Sequence, residues 1–164
     1  NAHTAQTIDF LGQMLGRPVE PTEVEAYTWR FVEDGRKVSA AEYIGAMDLL
    51  HAWARRMASW WAEGHDLLVT PTLAAPPPRL GELGGPGGDP LQRWQRNLEV
   101  IPYTPAMNVT GQPAISLPLH WSAQGLPVGV HLIGAYGRED LLFRVAAQLE
   151  QASPWATRKP PISA

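Results

Sequence analysis

The chain has 164 residues, 45% of them hydrophobic, a formal charge of −3 and no cysteine. That length suits a single domain burying roughly 70% of its unfolded surface, and the near-neutral balance excludes the basic footprint of a nucleic-acid binder or an anionic-membrane ligand. The missing cysteine removes disulfides, thiol nucleophiles and cysteine zinc sites, and no apolar run approaches the roughly 20 residues that a membrane-spanning helix needs. Residues 1–82 carry 7 basic and 11 acidic side chains against 6 and 5 in residues 83–164, so the acidity describes a solvated face of the first half. Without a basic leader before an apolar stretch, a cytoplasmic setting is expected. A start at Asn1 fits a processed product, a deliberately shortened one, or the later part of a longer polypeptide.

In chain order, residues 2–15 place Ile8, Leu11 and Leu15 on one helical face, and Gly16 with Pro18 supplies a stop. A second helix is expected in "PTEVEAYTWRFVEDG", with Thr22 and Glu25 at capping-box spacing, Val24, Tyr27 and Phe31 inward, and Gly35 at its end. A third begins at Ser39, capped with Glu42. Its apolar stripe of Tyr43, Met47, Leu50, Ala54, Met57 and Trp61 predicts about 24 residues. Trp53, Trp60 and Trp61 read as anchors of this helix on a sheet rather than as a binding platform.

The period then changes. "HDLLVTPT", residues 65–72, has a continuous apolar run stopped by Pro71, the pattern of a strand buried on both faces. Residues 76–90 hold ten Gly or Pro among fifteen and read as a long loop, either a lid or a surface excursion. Residues 91–101 predict a helix with Leu91, Trp94, Leu98 and Ile101 inward. "PAISLPL" predicts a strand with Ala114, Ser116 and Pro118 on one side and Ile115, Leu117 and Leu119 on the other. "GLPVGVHLIG" predicts a second strand, joined antiparallel to the first through a turn at Gly125. A last helix starts near Arg138, with Leu141, Leu142, Val145 and Leu149 inward, and ends before Pro154. Helices flanking short strands give an α/β fold with a mixed sheet.

Familiar catalytic patterns are missing: no G-x-S-x-G, no H-E-x-x-H, no P-loop and no G-x-G-x-x-G. Lys37 and Lys159, the two lysines, sit before a helix cap and in a proline-rich tail, poor places for a catalytic base. His120 and His131 flank the hairpin without further ligands at metal spacing, so a solvated turn histidine and a hydrogen-bonded strand histidine are expected. A Ser116 and His131 nucleophile–base pair across the hairpin is the less favoured alternative. Nothing calls for a cofactor or a metal.

Three stretches carry a more specific signal: "DLLVTPT", then "YTPAMNVTGQPAISLPL", then "GLPVGVHLIGAYGREDLLFRVAAQLE". In this order and spacing the chain resembles the C-terminal part of the amidase-signature family of serine amidohydrolases, over most of residues 39–155. More loosely it is similar to members acting on aryl acylamides and on cyclic amides of the nylon-oligomer type, the 6-aminohexanoate cyclic-dimer hydrolases. The resemblance implies a single-domain fragment of a mixed-sheet α/β fold, with residues 1–164 as its C-terminal part. It implies hydrolysis of carboxamides by a serine, a second serine in a cis peptide and a lysine, none of which is expected here. The "GGPGG" at 84–88 lacks the serines of that signature. No catalytic residue is therefore assigned, and the chain alone is expected to be inactive. The partners implied are the N-terminal portion of the same amidase, possibly as a separate chain, and a small-molecule amide, with homo-oligomerisation an open option. By the same resemblance, Tyr103, Thr104 and Met107 face the substrate pocket. Pro105, Asn108, Thr110, Gly111 and Pro113 fix a turn beside the cleft, with Asn108 and Thr110 bonding nearby backbone. The alternative reading is a catalytically inactive binding or assembly module.

Overall fold

The computed structural model describes residues 1–83 and 89–159. These fall into two compact units, Asn1–Leu49 with Pro78–Glu99, and Leu50–Pro77 with Val100–Ala164. Among the described residues no helix is long and apolar enough to cross a membrane.

In the first unit, α1 (Ala2–Leu15) ends at Gly16, left-handed with φ 68°. It packs on α2 (Ala26–Gly35) through a cluster of Ala5, Ile8 and Val32, joined by Val19, Val24 and Trp29. The expected face was rotated: Leu11 and Leu15 are exposed, while Ala5, Ile8 and Gly12 are buried. Small residues explain the rotation, because a Cβ on Gly12 would stand 3.1 Å from the Arg17 carbonyl and one on Gly35 would collide with the Asn1 carbonyl. The cap also differs from expectation. Glu20 and Glu23 form the capping box, around a 3-10 turn at Pro21–Glu23, in place of Thr22 and Glu25. The Glu23 carboxylate takes two hydrogen bonds from Arg17 and one from the Glu20 N–H, which together hold it down to about 2. Ser39 and Glu42 cap α3 (Ala40–Ala62) reciprocally, as the spacing predicts. In α4 (Pro90–Val100), Trp94 meets Phe31 edge-on at 5.0 Å and stacks near Tyr27, but Leu91 and Leu98 are exposed. Residues 76–83 form neither helix nor strand, and 84–88, the rest of the expected loop and the "GGPGG", lie outside the described residues.

The second unit holds the sheet. Its strands are β1 (Leu67–Pro71), β2 (Ala114–Trp121) and β3 (Pro127–Gly134), in the order β1-β3-β2, both pairings antiparallel. The hairpin is built as expected: Gly125 has φ 78°, and the Ser122 hydroxyl accepts the N–H groups of Gln124 and Leu126. Alternation sends Leu117 and Leu132 to one face, where Leu142, Val145 and Leu149 of α6 (Glu139–Ala152) cover them. On the other face Ile133 and Leu68 meet Trp61, Trp60 and Met57 from the end of α3, so Trp60 and Trp61 do anchor that helix on the sheet, whereas Trp53 is not part of that cluster. One expectation fails here. β1 is an edge strand, and Val69 is 58% exposed instead of buried.

Candidate active-site segment

Residues 103–113 form one short helix, α5 (Pro105–Thr110), where a turn was expected. Pro105 takes the first helical position, at which its missing N–H is harmless. Gly111 closes the helix with φ 76°, donating its N–H to the Met107 carbonyl at 2.9 Å. A Cβ there would meet the Tyr136 ring at 3.4 Å, so both the backbone angle and the space favour glycine. Thr110 back-bonds the Ala106 carbonyl at 3.1 Å, as expected. Asn108 does not act as expected: it is exposed, and its side chain makes no hydrogen bond among the described residues. Pro113 accepts the Gly134 N–H at 3.0 Å and starts the ladder between β2 and β3.

The three candidate pocket residues diverge. Tyr103 is 36% exposed and Thr104 half-buried at the helix start, whereas Met107 is 8% exposed and packs against Trp61 and Ile133. Within this chain Met107 is core. The sequence reading passed over Gln112, which is 7% exposed with an Oε1 that has no hydrogen-bond partner among the described residues, as has the Trp61 Nε1. Its position between Gly111 and Pro113 was the available signal.

Beyond α5, the sheet face that carries Ile133 turns polar. His131 is 5% exposed and its Nδ1 lies 3.2 Å from the Thr70 hydroxyl, while burial pushes the imidazole below the usual histidine range. Ser116 stands opposite His131 in the β2–β3 register, yet its hydroxyl bonds Thr72 at 2.6 Å. The nucleophile–base pairing is therefore not assembled. The two hydroxyls meet over Gly129, where a Cβ would lie 2.5 Å from Thr72 Oγ1 and 2.7 Å from Ser116 Oγ. Glycine inside a strand is a usual mark of such a close approach. His120 is exposed, and no group of three or more His, Cys, Asp or Glu among the described residues could hold a metal. A cleft of about 210 Å³ opens at the hairpin end, between Leu73–Pro77 and Leu126–Gly129; its one polar side chain, Ser122, is occupied by the turn.

The family model described as Amidase matches residues 2–143. The chain belongs to the amidase-signature family. This amidase-family chain is 40% identical over 161 residues to the 6-aminohexanoate-cyclic-dimer hydrolase of Paenarthrobacter ureafaciens, covering 95% of this chain and 33% of the relative. The protein of the same description from Pseudomonas sp. (strain NK87) is also 40% identical, with the same coverage. A solved structure of a 6-aminohexanoate cyclic dimer hydrolase superimposes with a TM-score of 0.89 at 39% identity, over 98% of this chain and 34% of that one. A bacterial aryl acylamidase of the amidase-signature family shares the fold, with a TM-score of 0.66 at 23% identity over 96% of this chain and 34% of that one. The chain thus spans about a third of the length of the curated relatives it matches.

Proposed function

We propose that these residues form the C-terminal portion of an amidase that hydrolyses a carboxamide C–N bond. The serine nucleophile, cis-serine and lysine of that reaction would be carried by the polypeptide outside the 164 residues. The observation that supports it best is the pairing of 40% identity across 95% of the chain with a TM-score of 0.89 to 6-aminohexanoate cyclic dimer hydrolase. In this reading Tyr103 and Thr104 line the substrate cleft, α5 holds them through Met107 in the core, and Gly111 with Pro113 leads the chain into β2. The contribution is positional: a misplacement of about 1 Å beside a reacting carbonyl costs on the order of 100-fold in rate. A small cyclic or linear amide, such as the cyclic dimer named by the relatives, is the substrate class. The partner is the N-terminal portion of the amidase.

The test is reconstitution. The chain is assayed on 6-aminohexanoate cyclic dimer, alone and co-expressed with the part of the Paenarthrobacter ureafaciens hydrolase that it does not match. No turnover alone and turnover in the pair is expected. A stable but inactive complex, with that hydrolase active when intact, would favour an assembly module instead.

A further inference from the structure

We propose that Gln112 is a positioning residue of the amidase: its side-chain amide donates to a backbone carbonyl of the polypeptide that carries the nucleophile, and so fixes where α5 stands. This rests on the reading above and names the side chain that couples the two portions.

Gln112 is 7% exposed, and its Oε1 is enclosed with no hydrogen-bond partner among the described residues. Its Nε2 bonds none of them either. A carboxamide brings two donor hydrogens and an acceptor oxygen, and leaving such a group buried and unpaired is rare and destabilising. The groups around it are already paired. The Gly111 N–H goes to the Met107 carbonyl at 2.9 Å, the Gly134 N–H to the Pro113 carbonyl at 3.0 Å and the Thr110 hydroxyl to the Ala106 carbonyl at 3.1 Å, while Pro113 has no N–H to give. Trp61 also has a buried, unpaired nitrogen, but its ring fills the cluster with Met107 and Ile133, which offsets that loss. Gln112 brings no such ring, so packing alone does not account for it.

Only the Oε1 end is sealed off. The Nε2 end can be reached from outside, and most side-chain hydrogen bonds other than those to water go to backbone, so a peptide carbonyl is the fitting partner. The polypeptide that supplies it follows from length, because the chain covers only 33% of the relative with which it shares this fold. Gln112 has little freedom to swing. Gly111, with φ 76°, closes α5 on one side, and on the other Pro113 leads into β2. A bond made at Gln112 therefore sets the place of α5, and with it of Tyr103 and Thr104.

The experiment compares the chain alone with the co-expressed pair described above. Gln112→Met keeps the length and approximate volume of the side chain and removes its polar groups. In the chain alone the urea midpoint should stay the same or rise, because an unpaired polar group is lost. In the pair the same substitution should weaken association about tenfold and lower kcat at least about tenfold, with KM within about twofold. Gln112→Leu should behave alike. Gln124→Met, which alters an exposed glutamine on the hairpin turn, should leave association and kcat within about twofold. A lower midpoint or unfolding of the chain alone with both Gln112 variants would make Gln112 an ordinary packing residue and overturn the proposal, as would no complex at all. An active pair indifferent to Gln112→Met would overturn it while sparing the amidase reading. An inactive pair that Gln112→Met weakens would do the reverse.

Discussion

The two faces of the sheet follow the same alternation and are filled differently. Under α6 every inward position is apolar: Leu117, Leu132 and Leu142 form the buried centre, with Leu67, Ile115, Val130, Val145, Leu149 and Trp155 around them. The opposite face is split. Leu68 and Ile133 pack beneath Trp61 and Met107, and then Thr70, His131, Ser116 and Thr72 take over around Gly129. Filling one such position with a buried aliphatic side chain would contribute about 1.5–3 kcal/mol. His131, the buried member of this group, gives up that contribution, while Thr70 and Thr72 are half-buried and Ser116 is exposed. The α6 face is closed by its own helix, and the polar half of the other face is left partly open.

The sharpest way to test that contrast is to damage each face in turn. Leu142→Ala should cost about 2–5 kcal/mol, read as a fall in urea midpoint with an unchanged slope. Met107→Ala should fall in the same range of about 2–5 kcal/mol, because Met107 is core; a cost near zero would return it to an open pocket. On the polar half, Gly129→Ala should destabilise by about 1–3 kcal/mol through its clash with the Thr72 and Ser116 hydroxyls. Ser116→Ala in the same background should recover part of that loss. If it recovers none, the hydroxyls do not meet over Gly129.

The pH dependence follows from His131, whose folded-state value is lowered by burial from 6.5. The unfolded chain then binds the proton more readily than the folded one. The His131 contribution is complete above about pH 6.5 and is lost as pH falls below it toward the folded value. The Tm of the wild type should drop across that window, and His131→Gln should flatten the drop. The smallest effect is expected at Asn108. Its exposed, unbonded side chain predicts that Asn108→Ala changes stability by no more than about 0.5 kcal/mol. A loss of 1 kcal/mol or more, on the order of one unsatisfied hydrogen bond, would restore the turn-organising role read from its sequence.

What could be read from the residues alone depended on how local the determinant was. The hairpin was legible because Gly125 and the period of two lie within twenty residues, and the α3 cap because Ser39 and Glu42 are neighbours on one turn. The inward face of α1 was not, since Leu11 and Leu15 match the helical period as well as Ala5 and Gly12. Close approach by Val19 and α2 decided between them. Around the candidate site the family blocks located the segment correctly as the lead-in to β2. Residue roles within it were poorly legible: a six-residue helix rotates Met107 inward and Asn108 outward, and no spacing rule distinguishes a helix that short from a turn. The Thr72–Ser116 pair joins residues 44 apart and had only Gly129 as a sign.

The strand order β1-β3-β2 also sets a timetable. β2 and β3 are joined by a five-residue connection, whereas β1 must find β3 across a gap of more than fifty residues. Closure of the short connection takes microseconds and the long one carries the larger entropic cost. During synthesis β1 leaves the ribosome first and waits for its neighbour. Among the described residues, β1 has no partner strand on either edge until the hairpin forms, and one edge is without a partner strand afterwards. An apolar strand in that position is a hazard for misassembly, so the interval between making β1 and making β3 is when this polypeptide most needs a chaperone or an already folded neighbour to hold it. Pulse-labelled amide exchange, with hairpin amides protected before those of Leu68 and Thr70, would show that order directly.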